Sequence, residues 1–211
     1  MPLILKRNIN EYGVYAIWKM QESERFFLDS LKLTLTEKVK LQKLKGNRRR
    51  EWLVGRWLLH QLTGEKSRID CLVDEFGKPY LKNGQYEISI SHSRALVAVY
   101  IDVVNVGVDI QKIVEKIERI AHKYMRPVET KSLRKATRME HLHIYWGAKE
   151  ALYKAYGKKE LDYQKHLHVK PFKYEEKGMT TAVVKKGEFK ANFNVYFEKL
   201  DNFMFVYVVE L

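Results

Sequence analysis

Apolar residues recur at helical spacing in three parts of the chain. These parts are residues 48–62, residues 113–124 and the segment around Trp146. Each is followed by a residue of a type that ends helices, at Gly64, Pro127 and Gly157. Thr36 can cap a further helix whose first turn carries Glu37. The pattern therefore predicts a helix at each of these places.

Other segments have the alternation or the apolar composition of β-strands. They are residues 12–18, 87–91, 95–101, 104–110, 181–185, 189–197 and 203–209. Residues 75–79 contain the glycine and proline of a turn. Both halves of the chain run from a helix into apolar strands, which indicates an α+β protein and favours a duplicated unit. We place the boundary between an N-terminal half, residues 1–103, and a C-terminal half, residues 104–211.

The composition is that of a globular protein with a core of its own. Apolar residues make up 45% and charged residues 31% of the 211 residues. The longest apolar run, residues 203–209, is too short for a membrane helix, and the N-terminus lacks the apolar stretch of a secretory signal. The single cysteine, Cys71, cannot form an internal disulfide and is expected to be buried. We therefore expect a cytoplasmic protein that does not bind membranes.

The formal net charge of +13 indicates an anionic partner. Basic residues are concentrated between Glu37 and Arg50. Positive charge speeds the encounter with any anion, so charge alone leaves nucleic acid, acidic lipid, a polyphosphate ligand and an acidic protein open. Trp52 and Trp57, next to the basic cluster, follow the core pattern and do not resemble the exposed stacking platforms of nucleic-acid binders.

Asp109 comes at the end of an apolar strand, after Gly107 and Val108. A glycine-containing strand end can bring a carboxylate close to a ligand, such as a metal ion. An aspartate at a strand end can also do no more than cap a turn. This strand alone leaves both interpretations open.

Trp146, Glu150 and Lys154 are spaced four residues apart and therefore lie on one side of a helix. Glu150 and Lys154 can form an exposed ion pair of little consequence. Trp146, however, turns this side inward, where a carboxylate needs a partner or a cation. If Asp109 points to the same place, a Mg²⁺ ion would replace the repulsion between two carboxylates with coordination.

The N-terminal half contributes further basic and polar candidates. Ser91 and His92 lie between two predicted strands, where we expect a turn. Lys78 lies on the stiff turn before Pro79. Arg56 lies inside an apolar helical pattern, on the side that it shares with Arg49. A half-buried guanidinium there either forms a structural ion pair or binds phosphate, and both remain open.

Taken together, these segments resemble the 4′-phosphopantetheinyl transferase superfamily, in its larger, monomeric, Sfp-like branch. The resemblance covers roughly residues 48–172 and rests on motifs that occur in the family's order: Arg49–Arg56, Gly77–Pro79, Ser91–Ser93, Gly107–Ile110 and Trp146–Lys154. It implies an α+β fold of two pseudo-symmetric halves, each a small, mainly antiparallel sheet packed on a long helix, with the active site in the cleft between them. It also implies Mg²⁺-dependent transfer of 4′-phosphopantetheine from coenzyme A to a serine of an acyl or peptidyl carrier protein, an activity of the holo-acyl-carrier-protein synthase type.

The resemblance also implies a role for individual residues. Asp109, Glu150 and Lys154 would be catalytic, and Glu150 would be the candidate base, directly or through a water. Asp109, Glu150 and Gln111 would hold the metal. Coenzyme A would be bound by basic and polar residues, namely Arg49, Arg56, Lys78, Ser91, His92, Lys149 and Lys154.

One departure from the family pattern concerns the metal site. Many relatives carry glutamate where this chain has Gln111. An amide is neutral, so we expect weaker metal affinity and not a loss of activity. The acidic helices of carrier proteins give the basic surface a partner, and we expect a monomer that does not bind nucleic acid. The alternative is a catalytically inactive protein of the same fold that binds coenzyme A or a carrier protein.

Overall fold

The computed structural model describes residues 2–211. The helices are Glu24–Leu31 (α1), Leu35–Lys43 (α2), Gly46–Thr63 (α3), Lys116–Tyr124 (α4), Pro127–Thr130 (α5) and Arg138–Tyr156 (α6). The strands are Leu3–Asn8 (β1), Val14–Lys19 (β2), Cys71–Val73 (β3), Pro79–Leu81 (β4), Glu87–Ser93 (β5), Leu96–Asp102 (β6), Val106–Lys112 (β7), Leu167–Val169 (β8), Lys177–Lys186 (β9), Phe189–Leu200 (β10) and Phe203–Glu210 (β11). The α+β class predicted from the sequence is confirmed.

The strands form two larger sheets and one hairpin. The first sheet has the strand order β1-β2-β6-β5, the second has the order β7-β11-β10-β9-β8, and β3 pairs with β4. All of these pairs are antiparallel. The boundary predicted between residues 103 and 104 lies in the connection from β6 to β7, where the chain leaves the first sheet for the second. The division into two domains stays a prediction.

Apolar cores join each sheet to a long helix and the two sheets to each other. Leu53 of α3 packs in one cluster with Val97 of the first sheet, and Leu152 of α6 packs in another with Val206 of the second sheet. A third cluster lies between the sheets, where the rings of Tyr15 and Phe205 are 5.0 Å apart. Since each sheet uses one face for its helix and the other for its neighbour, the halves are held together by packed apolar surface.

The ends of the helices follow local chemistry. Gly64 and Gly157 adopt left-handed backbone angles, with φ of 67° and 71°, and end α3 and α6 as predicted. The prediction of Thr36 as a helix cap was wrong, because α2 begins at Leu35. Its cap is Thr34, whose hydroxyl accepts the N–H of Glu37 while the Glu37 carboxylate accepts the N–H of Thr34.

Cys71 is the single cysteine of the chain. The free thiol of Cys71 is buried, as predicted, and burial raises its pKa above the ordinary value of a thiol. Among residues 2–211 there is no helix with the length and apolar character that a membrane crossing requires.

His141 is a buried histidine whose ring has lost contact with water without gaining a polar partner. It is 1% exposed, and neither ring nitrogen forms a hydrogen bond within the described residues. The ring stacks on Tyr145 at 5.2 Å and lies 4.5 Å from the ring of Phe172. Burial lowers the pKa of His141 to about 4, because the charged imidazolium is poorly solvated there.

We expect His141→Phe to stabilise the protein and to change the pH dependence of its stability. Below pH 6.5 the unfolded chain binds a proton at His141, which the folded chain takes up only near pH 4. As the pH is lowered from 6.5 to 4, the free energy of unfolding therefore falls by up to about 3 kcal/mol. Phenylalanine removes this loss and adds about 1 kcal/mol at pH 7 by eliminating unpaired polar atoms. Urea unfolding of both proteins between pH 4 and pH 7 measures the difference. Parallel curves for the two proteins would contradict the expectation.

Candidate active site

Strand β7 divides its side chains between the two faces of the second sheet. Val108 and Ile110 point into the core between the sheets. Asp109 and Gln111 alternate with them and lie on the side of α6, since the Gln111 amide reaches the main-chain oxygen of His143 on that helix at 3.2 Å. The alternation of side chains along β7 therefore places Asp109 next to the helix that carries Glu150 and Lys154.

Two glycines let α6 lie unusually close to the second sheet. A Cβ atom at Gly107 of β7 would overlap the main-chain oxygen of Ala151. A Cβ atom at Gly147 of α6 would lie 2.7 Å from Cγ2 of Val206, which is closer than real Cβ atoms come to other atoms. The separation between β7 and α6, and with it the size of the site, therefore depends on these two positions.

Asp109 is held by three side chains and is 7% exposed. Its Oδ1 atom accepts hydrogen bonds from Ser91 Oγ and from Lys154 Nζ, both at 2.9 Å. Its Oδ2 atom accepts from Gln111 Nε2 at 3.1 Å. The carboxylate is thus fixed from both halves of the chain, and Lys154 neutralises its charge.

Serine hydroxyls connect the edges of the two sheets at this place. Ser89, Ser91 and Ser93 of β5 each accept a main-chain N–H of β7, from Val108 at 3.0 Å, Ile110 at 3.2 Å and Lys112 at 3.1 Å. The turn predicted at Ser91 and His92 was wrong, because β5 continues to Ser93. We call these contacts the serine ladder. It brings Ser91 next to Asp109.

Glu150 lies close enough to Asp109 for their charges to interact. Burial raises the pKa of the Glu150 carboxyl above its ordinary value, and repulsion from Asp109 raises it further. Its Oε1 atom accepts a hydrogen bond from the hydroxyl of Tyr163 at 2.8 Å. The structure thus brings together the two carboxylates and Lys154, whose Nζ also donates to the main-chain oxygen of Val108 at 2.9 Å.

The donor chemistry of this pair fits a magnesium ion. Two carboxylates near one ammonium, which pairs with Asp109, keep an excess of negative charge, and their oxygens are the hard ligands that Mg²⁺ prefers. Within residues 2–211 no group of three or more His, Cys, Asp and Glu side chains could hold a metal. A cation at Asp109 and Glu150 would therefore need further ligands, such as water or phosphate oxygens.

Gln111 is oriented by its neighbours. Its amide nitrogen lies between Oδ2 of Asp109 and the main-chain oxygen of His143, and both of these atoms are acceptors. The nitrogen and not the oxygen of Gln111 therefore faces Asp109. In this arrangement Gln111 supports Asp109, while metal ligation by its amide oxygen stays a prediction.

His92 lies between α3 and the end of β5. Its Nε2 atom is 2.8 Å from Arg48 Nη1, and its Nδ1 atom is 3.2 Å from Oε2 of Glu51. Burial lowers the pKa of His92, and the charge of Arg48 lowers it further while Glu51 opposes the shift. Arg48 was not among the predicted site residues. Helical spacing did not distinguish it from Arg49, which lies three and seven residues from Trp52 and Arg56.

Arg56 is buried without an ion pair in the described part of the chain. Its guanidinium lies 5.1 Å from the centre of the Trp52 ring, and its Nε atom has no hydrogen-bond partner. It lines a cavity of about 280 Å³ together with Arg48 and His92. Of the two interpretations left open by the sequence, a structural ion pair is wrong, and phosphate binding stays a prediction.

Lys78 spans the cleft between the halves. Its Nζ atom donates to Oε2 of Glu87 at 2.9 Å, to Oδ1 of Asn105 at 3.1 Å and to the main-chain oxygen of Ala155 at 3.2 Å. The turn between β3 and β4 is thereby attached to the end of α6. Lys78 reaches the cleft, and in this arrangement its ammonium donates only to protein atoms.

The structure places two predicted coenzyme A ligands away from the cleft. Arg49 pairs with Glu24 of α1 at 2.7 Å and donates to the main-chain oxygen of Leu41 at 2.8 Å. Lys149 is fully buried and pairs with Glu129 at 2.7 Å. Both cations are committed to partners in their own half, so the structure does not support binding of coenzyme A by either residue.

Part of the C-terminal half is similar to a known protein family. The family model described as the 4′-phosphopantetheinyl transferase superfamily matches residues 105–201. The matched segment contains Asp109, Glu150 and Lys154, and it begins after Arg56 and His92. A comparison with curated proteins gave no match.

Proposed function

From the match of residues 105–201 to the family model, we propose that the chain is a member of the 4′-phosphopantetheinyl transferase superfamily and moves 4′-phosphopantetheine from coenzyme A to a serine of an acyl or peptidyl carrier protein. The family match supports transfer of phosphopantetheine in general terms. The carrier substrate, the dependence on Mg²⁺ and membership of the Sfp-like branch are parts of the proposal.

One observation supports this function most strongly. Asp109, Glu150 and Lys154, which come from a strand and a helix, converge where the two sheets meet. The cavity lined by Arg48, Arg56 and His92 lies in the half that supplies Ser91 to the same junction. A carboxylate pair next to a basic cavity suits a phosphate ester whose charge has to be neutralised.

We assign roles to the residues at the junction from their chemistry. Asp109 and Glu150 would hold Mg²⁺, which supplies positive charge to the pyrophosphate of coenzyme A when it is bound. Lys154 supplies an ammonium at the same place, and its contacts with Ser91 and Val108 fix its position. Arg48, Arg56 and His92 would bind the phosphate on the ribose. Lys78 would bind the nucleotide near the turn by exchanging its contact with the exposed Glu87 for the ligand.

Glu150 is the candidate base for the attacking serine of the carrier protein. Its side chain is held by the hydroxyl of Tyr163 and lies close enough to Asp109 for their charges to interact, so it faces the place where the serine would attack. The carboxylate would accept the hydroxyl proton while the serine oxygen forms its bond to the β-phosphorus. The bond to the departing adenosine 3′,5′-bisphosphate breaks in that step.

The net charge of +13 suits a carrier protein with acidic helices. We propose a cytoplasmic monomer that binds neither nucleic acid nor membranes.

Mass spectrometry of a panel of apo-carrier proteins, incubated with coenzyme A and Mg²⁺, tests the activity. We expect a carrier to gain the mass of phosphopantetheine, and we expect no gain when the metal is chelated. Isothermal titration with coenzyme A, with and without Mg²⁺, separates binding from transfer. Binding without modification of any carrier would support the alternative of an inactive binder.

We expect Gln111→Glu to retain transfer and to bind the metal more tightly. A third carboxylate next to Asp109 adds a charged ligand, although it loses the hydrogen bonds to Oδ2 of Asp109 and to the main-chain oxygen of His143. We expect a concentration of Mg²⁺ for half-maximal rate about tenfold lower than in the wild type, equivalent to about 1.4 kcal/mol. Initial rates measured against Mg²⁺ concentration provide the test. An unchanged requirement for Mg²⁺ would argue against a ligand position at residue 111.

A further inference from the structure

Lys149 and Glu129 form an ion pair in the interior of the C-terminal half. Both side chains are 0% exposed, and Nζ of Lys149 lies 2.7 Å from Oε2 of Glu129. Removing two charges from water offsets most of their attraction, so such a pair is a poor source of stability by itself. Its contacts with neighbouring segments of the chain are therefore more informative than its contribution to stability.

The pair holds the chain segment that follows α6. The other donors of Lys149 go to the main-chain oxygens of Tyr124, at the end of α4, and of Tyr163, at 2.6 Å and 3.0 Å. Oε1 of Glu129 accepts the main-chain N–H of Val169, in β8, at 3.1 Å. The buried pair therefore fixes residues 163–169 at both ends.

Tyr163 extends from this segment back to α6. Its ring stacks on Trp146 at 5.6 Å with an interplanar angle of 18°, and on Tyr153 at 5.7 Å with an angle of 21°. Its hydroxyl donates to Oε1 of Glu150 at 2.8 Å. The main chain of Tyr163 is thus held by Lys149, and its side chain holds the neighbouring Glu150.

We propose that Lys149, Glu129 and Tyr163 are positioning residues for Glu150, an inference that rests on the proposed function. The buried pair sets the place of Tyr163, and Tyr163 fixes the rotation of the Glu150 carboxylate. With Oε1 occupied by the tyrosine, Oε2 is the oxygen directed to the reaction. Lys149, which the motif suggested as a ligand of coenzyme A, acts instead through the protein interior.

Removing the tyrosine hydroxyl is the mildest test. We expect Tyr163→Phe to lower kcat about tenfold and to leave KM for coenzyme A within about twofold, because a hydrogen bond to a carboxylate is lost while the stacked ring remains. Tyr153→Phe is the matched control. Its ring stacks on Tyr163 in the same cluster, and its hydroxyl makes no hydrogen bond in the described part of the chain. We expect wild-type kinetics from this control.

Replacing the ion pair tests whether it acts through Tyr163. We pair Lys149→Met with Glu129→Leu, because a single replacement would leave one buried charge without a partner. We expect the double variant to have a reduced kcat and an unchanged KM for coenzyme A. Adding Tyr163→Phe to it should then cause no further loss, since residues that act in one chain of contacts are not additive.

A spectroscopic measurement makes the test independent of turnover. The ¹⁹F resonance of 5-fluorotryptophan at Trp146 reports on the ring of Tyr163 stacked against it. We expect this resonance to shift in the double variant and to stay in place in Tyr163→Phe. Thermal unfolding shows whether each variant folds. If the double variant does not fold, the kcat of Tyr163→Phe decides whether the tyrosine positions Glu150.

The outcomes separate this inference from the proposed function. A wild-type protein that modifies no carrier defeats the function itself. If the wild type is active, a normal kcat in Tyr163→Phe overturns the positioning role. The role of the ion pair is overturned if the triple variant loses kcat by the product of the two separate losses. It is also overturned if the resonance of Trp146 does not shift in the double variant.

Discussion

Asp109→Ala is expected to lower kcat/KM for transfer at least about 1,000-fold. The substitution removes a proposed metal ligand and leaves the ammonium of Lys154 without its carboxylate, so the positive charge at the junction is no longer organised around the pyrophosphate. Loss of a metal that supplies several kcal/mol of charge stabilisation corresponds to a factor of this size. Carrier modification measured by mass spectrometry under initial-rate conditions gives the number.

The control for this experiment is Asp29→Ala, an exposed aspartate on α1 whose contact is an ion pair with Arg25. We expect it to have wild-type activity. Binding of Mn²⁺, followed by electron paramagnetic resonance, should weaken in Asp109→Ala and not in the control. Activity above about a tenth of the wild-type value in Asp109→Ala would contradict the assignment of Asp109 as a metal ligand.

Gly107→Ala is expected to damage the site without touching a polar atom of it. The added Cβ would overlap the main-chain oxygen of Ala151, so α6 has to move away from β7. This movement separates Glu150 and Lys154 from Asp109. We expect about 2 kcal/mol of lost stability from overpacking and a loss of activity of about 100-fold in the folded protein, as misplacement by about 1 Å produces.

Gly55→Ala is the control for the stability effect. A Cβ at Gly55, in α3, would lie 3.4 Å from Cγ2 of Ile90, which is ordinary contact. In a helix interior alanine is favoured over glycine by about 1 kcal/mol, so we expect an unchanged or higher melting temperature. If Gly107→Ala unfolded at the wild-type temperature and kept its activity, the close packing of α6 would have no functional consequence.

The sequence was sufficient for the elements with strong periodicity. The long helices α3 and α6 and the apolar strands of both sheets lie where the pattern predicted them, within a few residues. The strands β1, β3, β4 and β8 and the helices α1 and α5 were not recognised. Leu3 and Ile4 of β1 are largely exposed at the edge of a sheet, and α1 buries only Phe27 and Leu31. Elements with so little buried surface leave a weak pattern.

The candidate site was predictable where one element determined the geometry. Glu150 and Lys154 share a side of α6, and the two-residue period of β7 carries Asp109 towards them. Helical spacing could not select Arg48 over Arg49, because Arg49 lies three and seven residues from Trp52 and Arg56. Thr34 could also have been predicted as the helix cap, because Thr34 and not Thr36 lies three residues before Glu37, which is the spacing of a capping box.

Other features of the site depend on contacts between distant segments. Lys149 and Lys154 lie on the same helix, and only tertiary packing directs the first to Glu129 and the second to Asp109. Tyr163 lies in a loop without any motif, and its partner Glu150 is identified by the folded structure alone. The serine ladder likewise depends on how the two sheets meet.

That ladder also bears on how the molecule keeps apart from its neighbours. A strand with free amide groups along its border attracts a strand from another chain, which is a common route to aggregation. Here the inner borders of both sheets face each other, and hydroxyl groups occupy amides of β7 that an intruding strand would need. In the two larger sheets, recruitment of a foreign strand is therefore confined to the outer borders formed by β1, by β8 and by the part of β9 that extends beyond β8.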